Sequence, residues 1–338
     1  VNAPQDGNYM THIRYANGTT DDRQMKVYVN GVTDPFWLQS FPGTGAWTTW
    51  TEIGIVLPLK AGENTIKFLS ALAGKGGPNL DYINLTLTDE PIGETYDPNS
   101  YQELVDASKP ALYIASDSTC QYYSASKQSQ NGGPIQGWGY YLPNYFTDGI
   151  NIYNHAIAGR SSKKFYDEGR FATIVDNLKA GDYVMICFAI NDAGYTYTDR
   201  YAPTCGDVDN PTDGSYEWYM TSFIKDTQAK GATPILMSCT LNGKTSTGTY
   251  AATYTNYTDA CKKLASKYNC PFLDLNGIMV NYYNSIGSAE VYKLHMASVI
   301  ENGSDYTHFN EYGADIVAGL VANGVKSNKI AGLYTYVK

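Results

Sequence analysis

The sequence has little of what most often announces a function. Charged residues make up 17% of its 338 positions, and 24 Lys and Arg against 33 Asp and Glu leave a net charge of −9. A chain of that sign has no general grip on a phosphate backbone, which argues against a nucleic-acid partner. No apolar run approaches the roughly 18 residues of a membrane-spanning helix. The chain opens VNAPQDGNYM, not with a basic and then apolar stretch, so it is expected to be a mature or trimmed form. Its six cysteines (Cys120, Cys187, Cys205, Cys239, Cys261 and Cys270) are scattered, and the closest pair is nine residues apart. Without a CxxC, neither a zinc knuckle nor a thioredoxin-type site is expected. There is no GxSxG, so the common α/β-hydrolase elbow is absent. Gly243-Lys244-Thr245 looks like the end of a phosphate loop, but Ser238 stands where the first glycine belongs.

What is present points elsewhere. Hydrophobic residues reach 43%, enough for a real core, and the length suits two domains or one large one. With 31 Tyr, 32 Gly and many Asn, Thr and Ser, the composition is of a kind common in secreted proteins that handle polysaccharide. An extracellular setting is therefore expected. Cys187 and Cys239 lie in strand-like apolar runs and read as buried free thiols, while pairing of the other four stays open.

Two styles of sequence meet near residue 100. Residues 1–89 carry short strand-like runs (NYMTHIRYA, QMKVYV, WTEIGIVLPL, TIKFLSAL, LDYINLTL) separated by Gly and Asn turn signals, the pattern of an antiparallel sandwich. Residues 90–106 are polar, contain two prolines and read as a linker. From 107 to 338 the rhythm changes. Apolar strands at 111–115, 150–156, 183–189, 233–239 and 271–274 alternate with helical segments near 136–146, 215–230, 255–268 and 310–322. That alternation predicts an α/β domain, a parallel sheet with helices on both faces, in which reactive groups sit beyond the C-terminal strand ends.

There are only four histidines: His12, His155, His295 and His308. His12 belongs to the sandwich, His295 to a predicted helix, and His155 reads as a packed residue of a strand. His308 follows Asp305 by three in the loop SDYTHFN. There a carboxylate can hold the imidazole in one tautomer and leave the other nitrogen free to take a proton. The strand ALYIA runs straight into Ser116-Asp117-Ser118-Thr119, which places a hydroxyl at the mouth of the sheet; a helix cap is the competing reading. Two further strand ends supply Gly159 and Asn191, whose backbone N–H and side-chain amide suit an oxyanion.

Ser118, Gly159, Asn191 and His308, in that order on successive strand ends, resemble the four invariants of the SGNH (GDSL-type) hydrolases. The segments IASDSTC, GWGYYLPNYF, AIAGRSSKKFYDEGRF, FAINDAG and DYTHFNEYGADIVAGLV are closer still to the rhamnogalacturonan acetylesterase family, number twelve of the carbohydrate esterases. The resemblance covers about residues 108–330. It implies a three-layer flavodoxin-like domain and an acetylesterase in which Ser118 is the nucleophile, His308 the base and Asp305 its orienter. The N–H groups of Ser118 and Gly159 and the Asn191 amide would form the oxyanion hole, with no cofactor needed for catalysis. Its substrate would be acetylated plant polysaccharide, rhamnogalacturonan (pectin) before xylan. Three departures touch substrate detail: Ser116 replaces the usual glycine, Ala189-Ile190 replaces Gly-His, and Tyr140 stands where Gln is common.

YMTHIRYANGTTDDRQMKVYVNG, GAWTTW, LKAGENTIKF and GPNLDYINL resemble a family thirty-five carbohydrate-binding module, a calcium-containing β-sandwich. The resemblance begins partway in, so the sandwich is incomplete as given or is completed by a segment or module outside this chain. Asp81 matches a structural calcium ligand without its acidic partners. Tyr15, Trp47 and Asn79 match sugar-contacting positions, and the two aromatics also fit a core. Arg160, Lys163, Lys164 and Arg170 form either a solvated helix face or a local basic rim for galacturonate carboxylates. N-glycosylation sequences stand at Asn17, Asn84, Asn256 and Asn302. A general SGNH esterase or lipase, and a carbohydrate-binding protein with a vestigial esterase domain, are the alternative functions.

Overall fold

The computed structural model describes the chain except residues 21, 32–36, 72–75, 89–107, 124 and 301–302 and the side chains of 125, 126 and 130. The chain divides into two compact units, Val1–Asp106 and Ala107–Lys338. The expected linker at 90–106 and the sequence at Asn302 lie outside the described residues.

The first unit contains strands β1 (Asn2–Ala3), β2 (Gly7–Ala16), β3 (Met25–Val29), β4 (Trp37–Gln39), β5 (Thr51–Leu59), β6 (Gly62–Glu63), β7 (Ile66–Ser70) and β8 (Asn79–Thr88). Two antiparallel sheets, ordered β5-β2-β8 and β4-β3-β7, account for most of it. Alternation does the sorting: Tyr9, Thr11, Ile13 and Tyr15 of β2 are buried while the residues between them are half-exposed. Tyr9, Val27, Val29, Ile55 and Leu57 then share one core across the two sheets, as in a sandwich. Asn17, one of the glycosylation sequences, is buried with its amide donating to the Phe41 carbonyl.

The second unit holds five parallel strands: β9 (Ala111–Ser116), β10 (Asn151–Asn154), β11 (Tyr183–Cys187), β12 (Thr233–Met237) and β13 (Phe272–Leu273). Their order is β10-β9-β11-β12-β13, so chain direction across the sheet reverses at β9. This is the flavodoxin-like order, and its switch point lies between β9 and β11. The strands are apolar on both faces, as a sheet covered on both sides requires. Leu112, Ile114, Met185 and Ile235 pack with helices α2 (Trp138–Tyr141), α7 (Leu275–Ile286) and α9 (Glu311–Ser327). Tyr113, Val184, Ile186 and Leu236 pack with α3 (Ser162–Asp167), α4 (Arg170–Asn177), α5 (Tyr216–Ala229) and α6 (Thr255–Tyr268). Two shorter helices are α1 (Ala125–Gln130) and α8 (Ser288–Tyr292).

The structure differs from the sequence reading at several elements. The expected helix near 136–146 is α2 followed by a 3₁₀ turn, Leu142–Tyr145, with Pro143 near its start. Strand 150–156 stops at Asn154 and strand 183–189 at Cys187, because the chain leaves the sheet there to build loops. His155 is therefore just past its strand, though buried as expected. His295 is not helical. It is extended and bridges Phe309, because residues 295–297 pair with the loop ahead of α9: Met296 N–H donates to the His308 carbonyl and Ala297 N–H to that of Asp305. All six cysteines are free thiols, Cys205 partly exposed and the others buried.

Phe223 of α5 stacks on Phe171 at 4.1 Å and lies against Phe165 and Phe188. Phe223→Ala is expected to cost about 3–5 kcal/mol, whereas Tyr312→Ala, at a residue 61% exposed, should stay within about 0.5 kcal/mol. Urea denaturation followed by far-UV circular dichroism checks both.

Candidate active site

Three loops meet at the switch point. The loop after β9 carries Ser118, that after β10 carries Gly159, and that after β11 carries Asn191. Parallel register aligns their roots: Ser116 pairs with Cys187, and the Ser116 hydroxyl donates to the Cys187 carbonyl at 2.8 Å. The serine that replaces glycine here thus fastens β9 to β11. Asp117 is buried and accepts from the Thr119 N–H and hydroxyl at 2.9 and 2.8 Å, which shapes the turn around Ser118. Burial pushes its carboxyl up against those two bonds. The Tyr123 hydroxyl donates to the Ser118 carbonyl at 3.0 Å.

His308 Nε2 lies 2.8 Å from Ser118 Oγ, and His308 Nδ1 lies 2.8 Å from Asp305 Oδ2. The two carboxylate oxygens divide the work. Oδ1 accepts the backbone N–H of Thr307 and of His308, each at 3.0 Å, and so folds the loop as an Asx turn does. Oδ2 accepts the hydrogen bond of Nδ1–H, which leaves the Nε2 lone pair for the serine hydroxyl. Burial pushes the Asp305 carboxyl up, but the His308 hydrogen bond and charge and the two backbone donors hold it below its ordinary value. Asp305 is thus kept ionised, as the acceptor role requires. α9 begins just beyond, capped by Asn310, whose side chain accepts the Gly313 N–H at 2.9 Å. A Cβ on Gly313 would stand 1.9 Å from the Leu294 carbonyl oxygen, so only glycine lets the helix seat there.

Gly159 adopts φ +76°, a left-handed conformation that favours glycine. Its loop is tied on two sides. Gln121 accepts the Ala158 N–H, and Asp192 accepts the Ser162 N–H at 3.0 Å together with the Ser162 hydroxyl. Asp192 is fully buried, and burial pushes its carboxyl up to about 7 despite those bonds. The Asn191 amide donates to the Arg160 carbonyl at 3.0 Å and accepts from Arg200 Nη1 at 3.1 Å. One amide hydrogen thus remains for an incoming oxygen. Gln121, Asp192 and Arg200 were not among the residues expected from sequence. Asp192 adjoins Asn191 in the chain and could have been suspected; Gln121 and Arg200 enter only through the folding of their loops.

The other expected site residues fare differently. Arg160 is committed to Glu168 at 3.0 Å and to the Ala158 carbonyl at 2.9 Å, and Lys163, Lys164 and Arg170 pair with Asp167, Asp199 and Glu168. All four basic side chains of the cluster are thus paired with carboxylates of their own surface, Arg160 and Arg170 sharing one. Of the two readings left open for Tyr15, the structure has the core one: its ring is buried edge-on to Phe41 at 5.0 Å, and its hydroxyl donates to the Pro42 carbonyl. Trp47 is 41% exposed beneath the Arg23 guanidinium, and Asn79 is exposed on β8. Asp81 is also corrected, since it forms an ion pair with Arg14. A calcium ion would have to displace that cation, and among the described residues no three carboxylate, imidazole or thiol groups gather around a common point. The residues present do not fit a calcium site.

A serine, a histidine and an ionised aspartate joined in series at the switch point of a parallel sheet are the parts of a serine-type hydrolase. The chain belongs to the GDSL-like lipase/acylhydrolase family, matching it over residues 117–316, and is a carboxylic ester hydrolase. It is 33% identical over 215 residues to the probable rhamnogalacturonan acetylesterase YesY of Bacillus subtilis, a match covering 64% of this chain and 92% of that one. The crystal structure of the Bacillus subtilis protein YXIM shares the fold, with a TM-score of 0.56 and 24% identity over 98% of this chain and 80% of that one. The native structure of a family 35 carbohydrate-binding module from Clostridium thermocellum matches 26% of this chain and 66% of its own at 47% identity, with a TM-score of 0.24.

Behind the site, the Tyr283 hydroxyl lies 2.9 Å from Nε2 of the fully buried His295, whose Nδ1 lies 3.3 Å from the His308 carbonyl oxygen. Burial drives the His295 imidazole down to about 4. Its folded pKa is thus below its unfolded value, so the stability it contributes is full above about pH 6.5 and is lost as pH falls toward 4. Between pH 7.5 and 5 the wild type should lose about 2 kcal/mol more than His295→Gln. Asp192 has the opposite sign, its contribution fading as pH rises toward 7, but it is common to both proteins and cancels in the comparison. Urea titrations of both proteins at the two pH values test this.

Proposed function

We propose that this chain is a secreted esterase that removes O-acetyl groups from acetylated plant cell-wall polysaccharide, with rhamnogalacturonan as its first substrate and xylan as the second. The observation that carries the reading is the unbroken series Asp305–His308–Ser118, with bonds of 2.8 Å at each step. Its choice of substrate is supported by the likeness to a probable rhamnogalacturonan acetylesterase. The Tyr- and hydroxyl-rich composition favours a polysaccharide partner and an extracellular setting, and the exposed Tyr195 supplies an apolar face for a sugar ring.

The geometry supports the following reaction. Ser118 Oγ attacks the acetyl carbonyl carbon as its proton passes to His308 Nε2, and the imidazolium that forms is held by the ionised Asp305. The N–H groups of Ser118 and Gly159 and the remaining Asn191 amide hydrogen stabilise the oxyanion. On collapse, His308 returns the proton to the departing sugar oxygen, leaving an acetyl group on Ser118. Water, deprotonated by His308, then attacks that ester and releases acetate, restoring the serine hydroxyl. His308 carries every proton transfer while Asp305 stays ionised, so the chemistry as proposed needs no added cofactor.

Acetate release from acetylated rhamnogalacturonan and from acetylated xylan, measured side by side, tests the reading. Release from one polymer should fall by about 10⁴-fold or more in Ser118→Ala and by about 10⁴-fold in Asp305→Asn. Asn191→Ala should cost about 10²–10³-fold. Cleavage of p-nitrophenyl acetate with neither polymer attacked would keep the ester chemistry and sink the polysaccharide assignment.

A further inference from the structure

Arg200 occupies a place that the reaction as written does not explain. Its Nη1 donates to Asn191 Oδ1 at 3.1 Å and would lie 3.3 Å from a Cβ built on Gly159, so the guanidinium stands directly beside two parts of the oxyanion hole. It is held there by stacking on Tyr197, whose ring centre is 4.0 Å from the guanidinium carbon. The neighbouring cations each have a carboxylate partner: Arg160 and Arg170 share Glu168, Lys163 pairs with Asp167 and Lys164 with Asp199. Asp199, which precedes Arg200 in the chain, bonds Lys164 and feels the Arg200 charge without forming an ion pair with it. Among the described residues no carboxylate pairs with Arg200, and Asn191 is the one acceptor of its hydrogen bonds, although a guanidinium has five N–H donors. A fixed, half-buried guanidinium with unused donors, in a protein of net charge −9, is an arrangement suited to one anionic group of a ligand.

We propose that Arg200 is the specificity residue of this site, binding a sugar carboxylate (a uronate) close to the acetylated sugar. The same placement makes it a positioning residue for the amide. Because its Nη1–H needs an acceptor, it fixes Oδ1 of Asn191 toward itself and leaves Nδ2 to face the oxyanion. The assignment rests on the polysaccharide esterase reading above and deepens it by naming the charged group that is read.

The test measures kcat/KM of wild type, Arg200→Gln and Arg200→Lys on acetylated rhamnogalacturonan oligosaccharides and on the same oligosaccharides after carboxyl reduction. The ratio of acidic to neutral substrate cancels whatever the amide contact contributes to both. Wild type is expected to favour the acidic form about 10–100-fold, as a charge-assisted pair does. Arg200→Gln should bring the ratio near one, and Arg200→Lys should fall between, since it keeps the charge and loses the fork. Hydrolysis of p-nitrophenyl acetate by each variant establishes that it is folded and active; it should decline in Arg200→Gln through kcat, with KM little changed.

A ratio near one in wild type, or a wild-type ratio retained in Arg200→Gln, overturns the proposal and leaves the esterase reading intact. The converse case has its own readout, inhibition of p-nitrophenyl acetate hydrolysis by unacetylated galacturonate oligomers. If wild type releases no acetate from either oligosaccharide but is inhibited by these oligomers while Arg200→Gln is not, the deacetylase reading falls and Arg200 stands. If neither acetate release nor inhibition occurs, both fall.

Discussion

The hydrogen bond from Ser118 to His308 joins residues 190 positions apart, and most of the second unit is arranged so that it can form. One end of it depends on β9 ending at Ser116 in register with Cys187 of β11. The other depends on the segment around His295, which pairs with the loop ahead of α9 and so sets His308 at the right height. Both ends rest on a sheet packed on both faces, and the close seat of α9 requires glycine at 313.

Asp305 shows how little material such a site needs. A cap that folds a loop and a carboxylate that orients a histidine are usually weighed as rival explanations of an Asp three residues before a His. Here they are the two oxygens of one side chain. The turn fixes the direction in which Oδ2 points, and Oδ2 then fixes the imidazole, so the local fold serves the electrostatic role.

The oxyanion side is built on the same economy. Gly159 and Asn191 sit on loops that neither helix nor strand stiffens, and their positions are held by side chains of three other residues: Gln121 on Ala158, Asp192 on Ser162, and Arg200 on Asn191 itself. Asp192 is buried at a cost in solvation that its bonds to Ser162 only partly offset, as its raised carboxyl records. Preorganised donors must be rigid before the reaction charges them, and the rigidity comes from these three cross-links.

Several features were legible in the residues alone. Strand–helix alternation is a periodicity, so the parallel sheet and its α/β class could be read without knowing a single contact. Ser118, Gly159, Asn191, Asp305 and His308 could be picked out because reactive groups follow strand ends, because Asp305 stands three residues before His308, and because together they resemble the SGNH invariants. Tertiary structure decided what depends on partners distant in the chain. Tyr15 alternates like any strand residue, and only the opposing Phe41 makes it core. The basic cluster after Gly159 could be a solvated face or a rim until Glu168, Asp167 and Asp199 folded onto it, while Arg200, unremarkable in its loop, stands beside the oxyanion residues with no ion pair among the described residues. Periodicity and proximity along the chain survive in one dimension; charge neutralisation is a sum over neighbours in three, and no reading of order alone performs it.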